Sequence, residues 1–79
     1  MFVYRYYCCI RFPHDSDTDR TVPKNSVSTR LWGSRPFVHE AGCNVYGTVD
    51  YAEPLSNRDI AFYGLMPANV VQQPIEIAV

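Results

Sequence analysis

The chain has 79 residues, of which 47% are hydrophobic and 19% charged, with a net charge of −1. That composition, with six Tyr, four Phe and one Trp, excludes a disordered polymer and fits one small globular domain near the lower size limit for folding alone. The near-neutral balance argues against nucleic-acid binding by bulk charge, which needs a basic excess or stripe, and the basic residues Arg5, Arg11, Arg20, Lys24, Arg30, Arg35 and Arg58 form no run.

Residues 2–12 alternate as a strand. Phe2, Tyr4, Tyr6, Cys8, Ile10 and Phe12 share one face, uniformly apolar or aromatic, which is expected to meet the core. Val3, Arg5, Tyr7, Cys9 and Arg11 share the other, mixed face, expected to be half exposed or covered by a partner. Pro13 ends the strand. Residues 13–26 are polar and aperiodic and read as a mobile loop. Residues 27–32 and 37–40 are short strand candidates on either side of a turn at 33–36. Residues 43–51 form the second good strand. Gly47 within it marks either a bulge or a close backbone approach.

The helix signals agree with one another. Ser56 is placed as N-cap, Asp59 occupies the third helical position, and Leu55 and Ile60 stand where a hydrophobic staple needs them. Gly64 is placed for a left-handed C-cap and Pro67 follows. A helix over 56–64 is too short to stand alone, so Ile60, Phe62 and Tyr63 are expected to pack on the sheet. The alternation of Ile75, Ile77 and Val79 predicts a last edge strand, a place where a second copy could pair. The fold class expected is α+β: a small antiparallel sheet of three to five strands, with one short helix packed on one face, forming a single domain over residues 1–79.

The residue types that carry chemistry lack the spacing that chemistry requires. Asp15, Asp17 and Asp19 match the opening of a calcium loop, but Arg20 stands where glycine is needed and Ser26 where glutamate is needed. They read as a solvated acidic loop, able to meet a basic patch on a partner. His14 and His39 have no partner at zinc-ligand spacing. Cys8, Cys9 and Cys43 make no disulfide framework, and a reduced, cytosolic chain is expected. The interval from Gly42 to Gly47 lacks the Lys-Ser/Thr of a phosphate loop. No enzyme, cofactor or metal is expected. The N-terminus does not read as a signal peptide, because Arg5 and Arg11 interrupt it, and no apolar run reaches the length of a membrane span. Trp32, beside a turn, is either a core plug or an interface anchor.

The stretch from Gly42 through Tyr51, running on through Pro54-Leu55-Ser56 to Met66-Pro67, resembles small proteins of phages and plasmids. In size and build the chain is similar to the anti-CRISPR proteins, phage-encoded inhibitors of bacterial immunity. That resemblance implies a non-enzymatic inhibitor in the bacterial cytoplasm. It would bind a host protein or ribonucleoprotein, such as a CRISPR surveillance complex or nuclease, and block target DNA binding or nuclease recruitment. The family shares no motif, so the resemblance assigns no residue. The weak acidity of this chain argues against whole-surface DNA mimicry. From the residues themselves the expected contacts are Asp15, Asp17 and Asp19 with Trp32, Tyr7 and Tyr46. The competing expectation is a nucleic-acid-binding or regulatory protein that uses the strand face of Arg5, Tyr7 and Arg11.

Overall fold

The computed structural model describes residues 2–16, 18–68 and 74–76. In chain order the elements are β1 (Phe2–Cys8), β2 (Ser28–Leu31), β3 (Phe37–Val38), β4 (Cys43–Asn44), β5 (Gly47–Tyr51), α1 (Asn57–Tyr63), β6 (Leu65–Pro67) and β7 (Ile75–Glu76). The main sheet runs β2-β5-β1-β6, with β7 also paired to β1, and every pairing is antiparallel. β3 and β4 form a separate two-stranded hairpin. The architecture is α+β, a mostly antiparallel sheet with one short helix. Among the described residues no helix is long and apolar enough to cross a membrane.

β1 is the central strand, in register with β5 from Tyr4↔Tyr51 to Cys8↔Gly47 and with β6 from Tyr6↔Pro67 to Cys8↔Leu65. The core gathers on one face of these strands: Tyr6, Cys8, Val49, Tyr51 and Leu65, joined by Val22. Tyr6 and Tyr51 meet edge to face at 6.1 Å. The Tyr6 hydroxyl accepts from the Leu55 amide at 2.8 Å, and the Tyr51 hydroxyl donates to the Pro23 carbonyl, so both rings are buried with their polar ends satisfied.

The strand expected over 2–12 stops at Cys8. Beyond it the ladder has no partner: Gly47, opposite Cys8, is the first residue of β5, and the Cys9 amide donates to the Gly64 carbonyl at the end of the helix. Ile10 and Phe12, expected in the core, therefore lie outside it and are exposed, as is Phe2 at the other end. Val3, expected on the half-exposed face, is fully buried opposite Ile75 of β7. A period-two pattern reports which residues share a face, but only the neighbouring strands decide how far that face is covered.

The strand expected over 43–51 is divided. β4 pairs with β3, and after Val45, whose amide donates to the Pro36 carbonyl, the chain passes to β1 through the bond from the Tyr46 amide to the Cys8 carbonyl. Gly47 sits at the close approach its sequence position suggested: a Cβ there would run into the Arg30 carbonyl oxygen and the Pro13 ring.

The helix obeys its local signals. The Ser56 side chain accepts from the Asp59 amide at 3.2 Å, and Gly64 closes the helix in the left-handed region at φ 65°. Leu55, Ile60 and Tyr63 pack against the core cluster. Phe62, expected beside them, is 79% exposed. Ile60 and Tyr63 are three apart and share a helical face, and Phe62 falls outside it. β6 was not anticipated, because Met66-Pro67 reads as a helix stop; proline is tolerated there at a strand end on the sheet edge. The expected strand at the C-terminus is seen as Ile75–Glu76, and Ile77 and Val79 lie outside the described residues.

The stretch 13–26, read as a mobile polar loop, is fastened at several points. Val22 is 1% exposed in the core cluster. The Thr21 hydroxyl reaches the Phe12 and His14 carbonyls. The Asp15 carboxylate accepts from Arg20 Nε at 3.2 Å and from the Ser26 amide and hydroxyl at 3.0 and 2.8 Å. Burial alone would raise the Asp15 pKa, but the Ser26 and Arg20 donors outweigh it and hold the carboxyl below its ordinary value of 3.8. A depressed carboxyl stabilises the fold above the unfolded-state value and loses that contribution as pH falls through the folded-state value. Urea unfolding followed below about pH 4 is expected to show the wild type losing stability more steeply than Asp15→Asn. Equal slopes would show that Asp15 does not tie the loop.

Candidate functional site

The face of the sheet opposite the core is polar and aromatic. Alternation along β1 places Arg5 and Tyr7 there, across from Asp50 and Thr48 of β5. β2 adds Ser28 and Arg30, and β6 adds Met66 opposite Tyr7.

Two features divide this face. The first is closed on itself. Arg5 grips Asp50 with two hydrogen bonds, Nε to Oδ1 at 2.8 Å and Nη2 to Oδ2 at 3.0 Å, and the Ser28 hydroxyl donates to Oδ2 at 3.0 Å. Asp50 is 5% exposed. The hydrogen bond to Asp50 is the main cause that raises the Arg5 pKa, against the smaller opposing effect of burial. A planar guanidinium holding a carboxylate in this fork is committed to the pair.

The second feature is open. Trp32, just after β2, donates its amide to the Tyr46 carbonyl at 3.1 Å, and Tyr46 donates its own amide to the Cys8 carbonyl at 2.9 Å. These bonds bring the ends of β2, β5 and β1 together. The Trp32 and Tyr7 rings meet edge to face at 6.2 Å. The Tyr46 ring meets Phe12 at 5.0 Å. Arg35 lies over the Tyr46 ring, 5.1 Å from its centre, and its Nη1 donates to the Tyr46 hydroxyl at 3.3 Å. The result is two ring pairs, Tyr7–Trp32 and Phe12–Tyr46, tied by the Trp32–Tyr46 backbone bond into one partly exposed aromatic band, with a guanidinium stacked on the second pair.

Of the contacts expected from the sequence, Tyr7, Trp32 and Tyr46 come together in this band. Asp15 and Asp19 do not join it. Asp15 is spent on Arg20 and Ser26, Asp19 lies exposed in a turn closed by Ser16, and Asp17 lies outside the described residues. Nor do Arg5, Tyr7 and Arg11 share a strand face, because β1 ends before Arg11. Arg11 instead lines a cleft of about 330 Å³ with Ile10, Arg20, Thr21, Phe62 and Tyr63. Phe12 and Arg35 are members the sequence reading missed. Phe12 matched the core pattern by period, and Arg35 lay in a stretch legible only as a turn.

Other reactive groups are held elsewhere. Cys8 is in the core, where burial pushes its thiol up to about 12. The His39 ring packs edge to face on Phe37 at 5.3 Å. Among the described residues no three His, Cys, Asp or Glu side chains are grouped to hold a metal ion. No protein-family model, no curated protein and no solved structure matches this chain.

Proposed function

We propose that this chain is a protein-binding module whose contact surface is the band of Tyr7, Trp32, Tyr46 and Phe12 with Arg35, and that its partner is a bacterial CRISPR surveillance complex or nuclease that it inhibits. The observation that carries the binding reading is the band itself. Trp, Tyr and Arg are the residues that dominate binding energy at protein interfaces, and here they are clustered, partly exposed and held by backbone hydrogen bonds. Rings fixed in advance lose little freedom on binding. The choice of partner rests on the small size and build of the chain. In this reading the helix packs on the core face through Ile60 and Tyr63, which leaves the rings at the ends of β1, β2 and β5 to the partner, and the protein acts in the cytoplasm of the host without catalysis.

The nucleic-acid reading loses its main residue, since Arg5 is committed to Asp50. Arg11, its other cation, lies off the strand face in the cleft beside Arg20.

The test is expression of the chain in bacteria whose CRISPR system restricts a phage. Restored plaque formation is expected, together with binding of the purified chain to the surveillance complex. Trp32→Ala is expected to weaken that binding by ten-fold or more, about 1.4 kcal/mol or above, with an unchanged circular dichroism spectrum. Undiminished restriction and no binding would remove the proposed partner. Full binding by a folded Trp32→Ala, Arg35→Ala double variant would remove the proposed surface.

A further inference from the structure

Beyond β1, neighbouring residues go to different places. Phe12 meets Tyr46 in the aromatic band, whereas Ile10 and Arg11 line a cleft of about 330 Å³ with Arg20, Thr21, Phe62 and Tyr63. None of the band's residues is among them. The volume lies at the small end of the range for ligand pockets, about 300–1,000 Å³, and the lining has their make-up, apolar walls with a few polar groups.

The walls come from three segments, each held by contacts of its own. Ile10 lies directly against the residue that closes the helix, since a Cβ on Gly64 would strike its side chain, and the Cys9 amide donates to the Gly64 carbonyl at 3.3 Å. Tyr63 packs on the core, and Phe62 meets it edge to face at 4.9 Å. On the third side the Thr21 hydroxyl is tied to the Phe12 and His14 carbonyls, and Arg20 Nε donates to Asp15. Two members stand uncovered. Phe62 is 79% exposed, the most of any large apolar side chain among the described residues. Arg11 is exposed and has no hydrogen-bond or ion-pair partner among them.

The charge selects the ligand. Arg11 and Arg20 bring two positive charges, and the Asp15 carboxylate on Arg20 offsets one of them. The single charge left over matches a monoanion, whereas a dianion such as phosphate would leave a negative excess beside Asp15. A guanidinium takes a carboxylate through two parallel hydrogen bonds, and the apolar side chains beside Arg11 offer faces and edges to a ring. From this arrangement we infer that the cleft binds a small aromatic carboxylate, with the carboxylate on Arg11 and the ring against Phe62 and Ile10. The site is separate from the aromatic band, so a small acid and a protein partner would occupy different surfaces.

Phenylacetate is titrated into the isotopically labelled chain and followed by amide NMR. Saturable shifts at Arg11, Thr21 and Tyr63 are expected, with a Kd of about 1 mM or tighter. Phenylacetamide keeps the ring and loses the charge, and acetate keeps the charge and loses the ring; each is expected to bind about ten-fold or more weakly. Arg11→Gln and Phe62→Ala are each expected to lower the affinity about five-fold or more. Lys24→Gln, the same loss of charge at an exposed residue outside the cleft, is expected to stay within about two-fold. Arg11 and Phe62 are both exposed, so the spectra of their variants are expected to remain those of the folded chain. Equal binding of the acid and its amide, shifts centred on Trp32 and Tyr46, or no saturation by about 20 mM would overturn the inference. So would a peptide ending in phenylalanine that binds about ten-fold tighter than phenylacetate and loses that gain on amidation, because the occupant would then be a protein terminus.

Discussion

Replacing Arg5 by methionine is expected to lower the stability of this domain by about 3 kcal/mol, and to do so more than replacing Asp50 by leucine. The asymmetry follows from burial. The Arg5 side chain is 27% exposed and Asp50 only 6%, so an orphaned Arg5 can turn to water and an orphaned Asp50 cannot. Without Arg5, the carboxylate at the centre of the sheet keeps, among the described residues, only the Ser28 hydroxyl as side-chain donor. A domain of this length has a total stability of about 4–12 kcal/mol, so the loss is a large share of it. Restoring apolar complementarity with the pair Arg5→Met and Asp50→Leu is expected to recover much of the deficit, because the desolvation cost of both charges disappears together. Urea denaturation of the four chains, wild type included, forms a closed cycle. An Arg5→Met loss under about 0.5 kcal/mol would place the pair with surface ion pairs of little energetic consequence.

Gly47→Ala is expected to cost about 3 kcal/mol, near the upper end for inserting atoms into a packed site. The added carbon would collide with the Arg30 carbonyl of the neighbouring strand, which cannot swing aside as a side chain can, and would press on the Pro13 ring. β2 would be forced away from β5. Trp32 hangs from the end of β2 by its bond to Tyr46, so the same change is expected to disturb the aromatic band, read as altered tryptophan fluorescence in the fraction that remains folded. Gly33→Ala is the matched control. Nothing lies within 4 Å of its added carbon, and a change within about 0.5 kcal/mol is expected. Equal behaviour of the two variants would refute the close approach.

The elements differ in how far they were legible from sequence, and the differences have a common cause. The helix was readable to its caps, because Ser56, Asp59 and Gly64 act within a few residues of one another. Gly47 was readable as a constraint, though only the structure identifies the Arg30 carbonyl and Pro13 as the groups that need the space. The extent of β1 was not readable, since the alternation from Phe2 to Phe12 is unbroken and nothing in it records that its neighbours end at Gly47 and Leu65. That difference reaches the aromatic band, because Phe12, expected in the core, is exposed and meets Tyr46.

The engagement of Asp15 was hidden for a similar reason. Three aspartates in five residues look available when the loop is read alone. In the fold Asp15 meets Arg20 and Ser26, and the loop delivers Val22 to the core. Likewise Arg5 looked free for a partner until Asp50, 45 residues away, met it in register.

What the sequence by itself determined is the local chemistry: a small α+β chain, a capped helix, a strand rich in tyrosine, and no spaced set of metal or phosphate ligands. What only the tertiary structure decided is which polar groups are already satisfied and which remain exposed. Hydrogen bonds between strands, ion pairs and ring contacts join residues far apart in the chain. Satisfaction of a side chain is therefore a property of the packed sheet, and it is this that takes Asp15 out of the candidate surface and leaves in it the rings around Trp32 and Tyr46.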